Sequence, residues 1–201
     1  VTGLAPLGEA IHLVKRKVGE DICKKFAYTT STYNGSRVQI ANYKKDGRIV
    51  AQKVRFPNKE FVFLGDTKNA GLYGQHLWRN TKGKMLVITE GECDALSVAM
   101  ANGGKYPVVS LPTGASGAVR AIKRELEFVS AYDKVVLMFD NDEAGINAML
   151  KYKELYGIPG AHLKLEKDIA DCVEAHGVLS TRETLYPVLT KALTGVSKQL
   201  P

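Results

Sequence analysis

The stretch Val135-Val-Leu-Met-Phe-Asp-Asn-Asp-Glu-Ala-Gly145 is an apolar run of strand character that stops at two acids, Asp140 and Asp142. An earlier stretch, Met85-Leu-Val-Ile-Thr-Glu-Gly-Glu92, has the same design and closes on Glu90. Short apolar runs without alternation suit strands covered on both faces, as in parallel sheets. The carboxyl ends of such strands line one crevice, where open α/β folds bind their ligands. Clustered carboxylates there are hard oxygen ligands for Mg²⁺, an ion that usually works on phosphates. The pattern points to phosphoryl-transfer chemistry.

Around these two stretches, strand and helix patterns alternate. Strands are expected at residues 85–89, 106–111, 134–139 and 162–165. Helices are expected at about 92–102, 117–129 and 143–156, with two more near 170–175 and 182–193. Strands separated by helices predict right-handed βαβ units, hence a Rossmann-like α/β fold with a mostly parallel sheet flanked by helices. Residues 1–84 read differently. A short helix over 20–26 precedes a hairpin over 37–55, in which apolar and polar residues alternate on both sides of the turn dipeptide Asp46-Gly47. Residues 61–64 add a third strand. The expected organisation is a small, basic, strand-rich unit over 1–84, a catalytic unit over 85–193 and the start of a linker at 194–201.

Charge follows the same division. Residues 1–84 hold 16 Lys/Arg against 6 Asp/Glu, a balance of +10, whereas residues 85–201 hold 12 against 15, a balance of −3. A basic half joined to an acidic half suits cations that grip a polyanion beside carboxylates that bind metal. Cys23, Cys93 and Cys172 form no Cys-x-x-Cys pair, so neither a disulfide framework nor a structural zinc site is expected, and a reducing cytosol fits. No apolar run approaches the roughly 20 residues of a membrane helix. The N-terminus lacks a secretory pattern, and also an initiator Met, which reads as a piece of a longer protein. A cytoplasmic protein without a membrane partner is expected.

Individual positions carry specific expectations. Gly91 allows a tight turn directly after the strand. Glu92 and Asp94 fall in the first turn of the next helix, where negative charge suits the dipole. Residues two apart in extended chain point the same way, so Asp140 and Asp142 can face one metal, and Asp142 also fits the cap position of the following helix. Trp78, with Tyr73 and His76, reads as core at a subdomain junction in preference to a base-stacking platform. Gly103-Gly104 reads as a helix end. His12, His162 and His176 have no metal-ligand spacing.

Thr89-Glu-Gly-Glu-Cys-Asp-Ala-Leu96, followed by Met138-Phe-Asp-Asn-Asp-Glu-Ala-Gly145, resembles the TOPRIM domain of DnaG-type primases, topoisomerases and some nucleases. Tyr106-Pro-Val-Val-Ser-Leu-Pro-Thr-Gly-Ala-Ser116, Gly71-Leu-Tyr-Gly-Gln-His-Leu-Trp78 and the basic hairpin with Lys53 and Lys59 resemble the primases of T-odd coliphage primase-helicases, over roughly residues 20–190. The resemblance implies a DNA-templated RNA polymerase that makes short primers on single-stranded DNA. It implies Glu90 as general base or metal ligand, Asp140 and Asp142 as the metal-binding pair, Asp168 as a further catalytic acid and Asp94 and Gly91 as support. Lys53 and Lys59, with Arg55 beside them, match lysines that contact nucleotide or template, acting as mobile point charges. Mg²⁺ is the implied cofactor, with Mn²⁺ as a substitute. The implied partners are single-stranded DNA, ribonucleoside triphosphates and, in the parent protein or in trans, a zinc-ribbon template reader and a helicase domain.

Two absences stand out. No zinc ribbon occurs here, and no Gly-x-x-x-x-Gly-Lys-Ser/Thr loop, so neither template reading by zinc nor helicase action is expected of this stretch. Two other readings keep the same fold: a non-catalytic single-strand-binding or spacer domain of a replicative helicase, and a TOPRIM nuclease.

Overall fold

The computed structural model describes residues 3–81, 83–161 and 166–194. The basic N-terminal region forms a four-stranded antiparallel sheet in the order β1-β2-β3-β4: β1 (Tyr28–Tyr33), β2 (Ser36–Lys45), β3 (Arg48–Arg55) and β4 (Phe61–Gly65). A short helix, α1 (Glu20–Lys25), precedes it. The hairpin turns at Asp46-Gly47, both with positive φ, as the dipeptide predicts. The edge strand β1 was not expected, because Tyr28-Thr-Thr-Ser-Thr-Tyr33 has no apolar alternation; it pairs along its whole length with β2.

The second region is a parallel sheet in the order β6-β5-β7: β5 (Gly83–Thr89), β6 (Val108–Ser110) and β7 (Tyr132–Met138). β5 is central, so its carboxyl end, with Glu90, lies between its neighbours' ends. Tyr73 bridges to Ser110 at one edge and Gly160 to Leu137 at the other. The strand expected at 162–165 and the linker expected after residue 194 lie outside the described residues.

Helices cover the sheet. α2 (Glu92–Asn102) is buried on almost all sides, which its small residues Ala95, Ala99 and Ala101 permit. It ends at Gly103, whose φ of 67° and amide bond to the Met100 carbonyl make a left-handed stop. The single helix expected over 117–129 is two, α3 (Ala118–Arg124) and α4 (Leu126–Ser130). The break falls at Glu125, whose carboxylate accepts from Gln75 Nε2 at 2.7 Å and is thereby tied to the connecting segment. α5 (Glu143–Tyr156) matches expectation, α6 (Ile169–His176) nearly so, and α7 (Val178–Leu193) starts four residues early. No helix among the described residues is long and apolar enough to cross a membrane.

One apolar cluster runs through both regions, from Tyr28 and Tyr43 on the antiparallel sheet through Tyr73 and Trp78 to Leu86, Leu96 and Val136. Trp78 is 8 % exposed and donates from its indole to the Val108 carbonyl at 3.0 Å, the core role its sequence context suggests.

Candidate active site

A cleft of about 790 Å³ separates the two sheets. Its floor is acidic and carries Glu90, Asp94, Asp140 and Asp168; its opposite wall is basic and carries Arg37, Lys53, Arg55 and Lys59.

The floor is built where strands become helices. Glu90 follows β5 and accepts two backbone amides, Ala115 N at 3.3 Å and Asp140 N at 3.2 Å. It thereby ties the end of β5 to the end of β7. Asp140 follows β7, its side chain 15 % exposed. Burial first, then Glu90 and Asp168, push its carboxyl up to about 6, against the opposing pull of Lys167. Asp94 lies in the first turn of α2 and accepts the Ala170 amide at 3.2 Å. Burial, with Asp168 and Asp140 close by, raises its carboxyl well above the usual carboxylate range. Asp168 caps α6, accepting the Asp171 amide at 2.7 Å.

Carboxylate oxygens of Asp94, Asp140 and Asp168 lie within 4.8 Å of one another, the one such group of His, Cys, Asp or Glu among the described residues. Three crowded carboxylates, of which Asp94 and Asp140 have raised proton affinity, are what a divalent cation relieves. The all-oxygen donor set suits Mg²⁺ or Mn²⁺ better than a soft metal. The triad differs from the expected ligand set of Glu90, Asp140 and Asp142. Asp142 stands aside: one oxygen caps α5 through the Gly145 amide at 2.9 Å, and this bond, ahead of Lys167, lowers its carboxyl. The other oxygen faces Lys167 Nζ at 3.4 Å, and the same ammonium reaches Asp140 at 3.3 Å. Lys167 thus joins the two acids that the sequence pairs. Asp94, read only as support, belongs to the acidic core.

Two glycines make room for this. A Cβ on Gly91 would lie 3.0 Å from Asp94 Oδ2. A Cβ on Gly145 would lie 2.2 Å from the Asp140 carbonyl oxygen.

On the basic wall, Lys53 is not the mobile charge expected of it. Its side chain is 11 % exposed, pairs with Glu92 at 3.1 Å and donates to the Pro112 carbonyl at 3.1 Å. Glu92 also accepts from Tyr43 at 2.7 Å. A buried Tyr43–Glu92–Lys53 set therefore holds the two sheets together at the back of the cleft. Arg55 borders the cleft, as does Lys59, which is exposed and held at φ +70° in the turn before β4. That backbone conformation costs a side-chain-bearing residue about 1 kcal/mol that glycine avoids. Lys15 and Arg16 extend the wall; the only sequence signal for them was the charge bias of the first half.

The chain is similar in sequence and fold to known proteins. Residues 8–65 match the family model described as the N-terminal α+β fold of bacteriophage T7 DNA helicase/primase, and residues 87–173 match a Toprim-like model. A DNA helicase/primase of Enterobacteria phage T3 is 38 % identical over 143 residues, which are 71 % of this chain and 25 % of that protein. The chain thus spans a quarter of the length of that relative. The primase fragment of the bacteriophage T7 primase-helicase superposes with a TM-score of 0.78 at 32 % identity, over 92 % of this chain and 82 % of that one. The T7 primase domains bound to an RNA/DNA hybrid and dTTP, beside the lagging-strand polymerase, give a TM-score of 0.77 at 31 % identity, over 96 % and 93 %. A DnaG catalytic core shares the fold alone, at 15 % identity and a TM-score of 0.62, over 92 % of this chain and 71 % of that one.

Proposed function

Because the chain belongs to the phage TOPRIM primase family, we propose that it polymerises ribonucleotides into short primers on a single-stranded DNA template, by metal-dependent nucleotidyl transfer in the cleft. The observation that carries this reading is the opposition of an acidic triad, Asp94, Asp140 and Asp168, to a wall of lysines and arginines across one open cleft.

Joining two nucleotides needs a more nucleophilic 3′-hydroxyl and a triphosphate whose charge is offset. Mg²⁺ or Mn²⁺, held by Asp140 with Asp94 and Asp168, would supply charge neutralisation and acidify a bound hydroxyl. The chain's own groups do the rest. Arg55 and Lys59 offset phosphate charge from the opposite wall, with Lys53 as a fixed cation behind them. Glu90, its position set by two backbone amides, either completes the ion's shell or takes the hydroxyl proton. Glu90→Gln separates these roles: retained Mn²⁺ binding with lost turnover makes it the base, and lost binding makes it a ligand.

The direct test supplies the chain with single-stranded template, ribonucleoside triphosphates and Mg²⁺ or Mn²⁺, with a phage zinc ribbon in trans. Dinucleotides and short RNA are expected, abolished by Asp140→Ala. Cleavage of nucleic acid without any triphosphate identifies a nuclease instead. No product under any of these conditions, with function in the parent protein indifferent to Asp140→Ala, identifies a spacer.

A further inference from the structure

Four carboxylates, Glu90, Asp94, Asp140 and Asp168, line the floor of the cleft with Asp142 beside them, and the ammonium of Lys167 lies between Asp140 and Asp142. Its Nζ is 3.3 Å from Asp140 Oδ2 and 3.4 Å from Asp142 Oδ2. The reach is fixed by the main chain: the Lys167 carbonyl accepts the Asn141 amide at 2.5 Å, so the backbone of Lys167 is pinned beside the residue between the two acids. Asp168, the next residue, is anchored as the cap of α6. Yet the Lys167 side chain itself is 55 % exposed and borders the cleft. Its backbone is anchored, and its paired head remains open to solvent.

We propose that Lys167 is the resident counter-cation of this centre: it bridges Asp140 and Asp142 while no divalent ion is bound, and the ion displaces it into the cleft. The inference rests on the metal-centre reading given above. Lys167 offers one charge through a flexible stem, and an exposed ammonium–carboxylate contact is easily broken. A divalent ion offers two charges to Asp140 and its neighbours and does not tolerate an ammonium within contact distance of the same oxygens. Lys167 therefore holds the acids together before metal arrives and competes with the metal for them.

The test is Mn²⁺ binding at pH 8, read from the free-ion electron paramagnetic resonance signal, for wild type, Lys167→Met, Lys167→Arg and Asp140→Asn. Lys167→Met keeps the stem and loses the competitor, so it should bind Mn²⁺ about three- to tenfold tighter. Lys167→Arg should stay near wild type. In wild type, acetylation of Lys167 by an amine-reactive ester, read by mass spectrometry, should quicken when Mg²⁺ is added. Equal or weaker Mn²⁺ binding by a folded Lys167→Met, or Lys167 reactivity unmoved by Mg²⁺, overturns the inference and leaves the metal centre standing. No Mn²⁺ binding by wild type, or undiminished binding by Asp140→Asn, overturns the metal centre and this inference with it.

Discussion

Lys53 sits in the basic wall with a buried carboxylate for a partner, and that sets what its loss should do. Removing one member of a buried ion pair strands the other, at a cost of about 3 kcal/mol. Lys53→Met should therefore lose roughly that much stability in urea unfolding, leaving Glu92 with Tyr43 alone. Lys53→Met with Glu92→Gln, which removes both charges, should return to within about 1 kcal/mol of wild type. Any triphosphate binding still missing in the double variant belongs to the cation itself. Asp140 gives a prediction with a definite pH window. Its carboxyl is raised from 3.8 to about 6, chiefly by burial. Between those values the folded chain holds a proton that the unfolded chain has released. Stability of the metal-free protein therefore falls as pH rises through that window, and the loss is complete above about pH 6. Melting in EDTA should be higher at pH 5 than at pH 8. Asp140→Asn should raise the pH 8 value, by an amount of order 1–3 kcal/mol, while it destroys metal binding.

At the scale of elements, the centre depends on how closely α5 approaches the end of β7. Gly145 permits the approach, since any Cβ there would meet the Asp140 carbonyl. Gly145→Ala should push the start of α5 away from Asp140, cost about 1–3 kcal/mol by overpacking and weaken Mn²⁺ binding severalfold, although no carboxylate is touched. A chelator-free thermal melt paired with a Mn²⁺ titration checks both effects. These junctions were largely legible in the sequence. β5, α2, β7 and α5 announce themselves because an apolar run ends on an acid and a helical pattern begins at once. β1 was hidden because its Thr and Ser side chains need no apolar partner to pair along β2. The break at Glu125 was hidden because the contact made there, with Gln75, is remote in the chain. The site shows the same limit. Motif spacing pointed to Glu90, Asp140, Asp142 and Asp168, whereas the grouping of Asp94 with Asp140 and Asp168 depends on α6 bringing the Ala170 amide to Asp94. The clamp of Glu92 on Lys53 and Tyr43 joins residues far apart in sequence, where no spacing rule reaches.

The whole molecule carries a basic half and an acidic half that share one apolar cluster, with a second, smaller cluster inside the basic half. Regions that share a core should unfold together. Fluorescence of Trp78, at the junction, and far-ultraviolet circular dichroism should report one coincident urea transition. Two separated transitions would show that the halves are independent. The same joint has a bearing on how long products stay. The Tyr43–Glu92–Lys53 clamp joins the two walls at the back of an open cleft. For the polymerising reading, this predicts low processivity. On that reading each nucleotide added moves the hybrid through an open trough lined by cations, until dissociation outruns the next addition. Raising the salt concentration should then shorten the products before it slows their initiation.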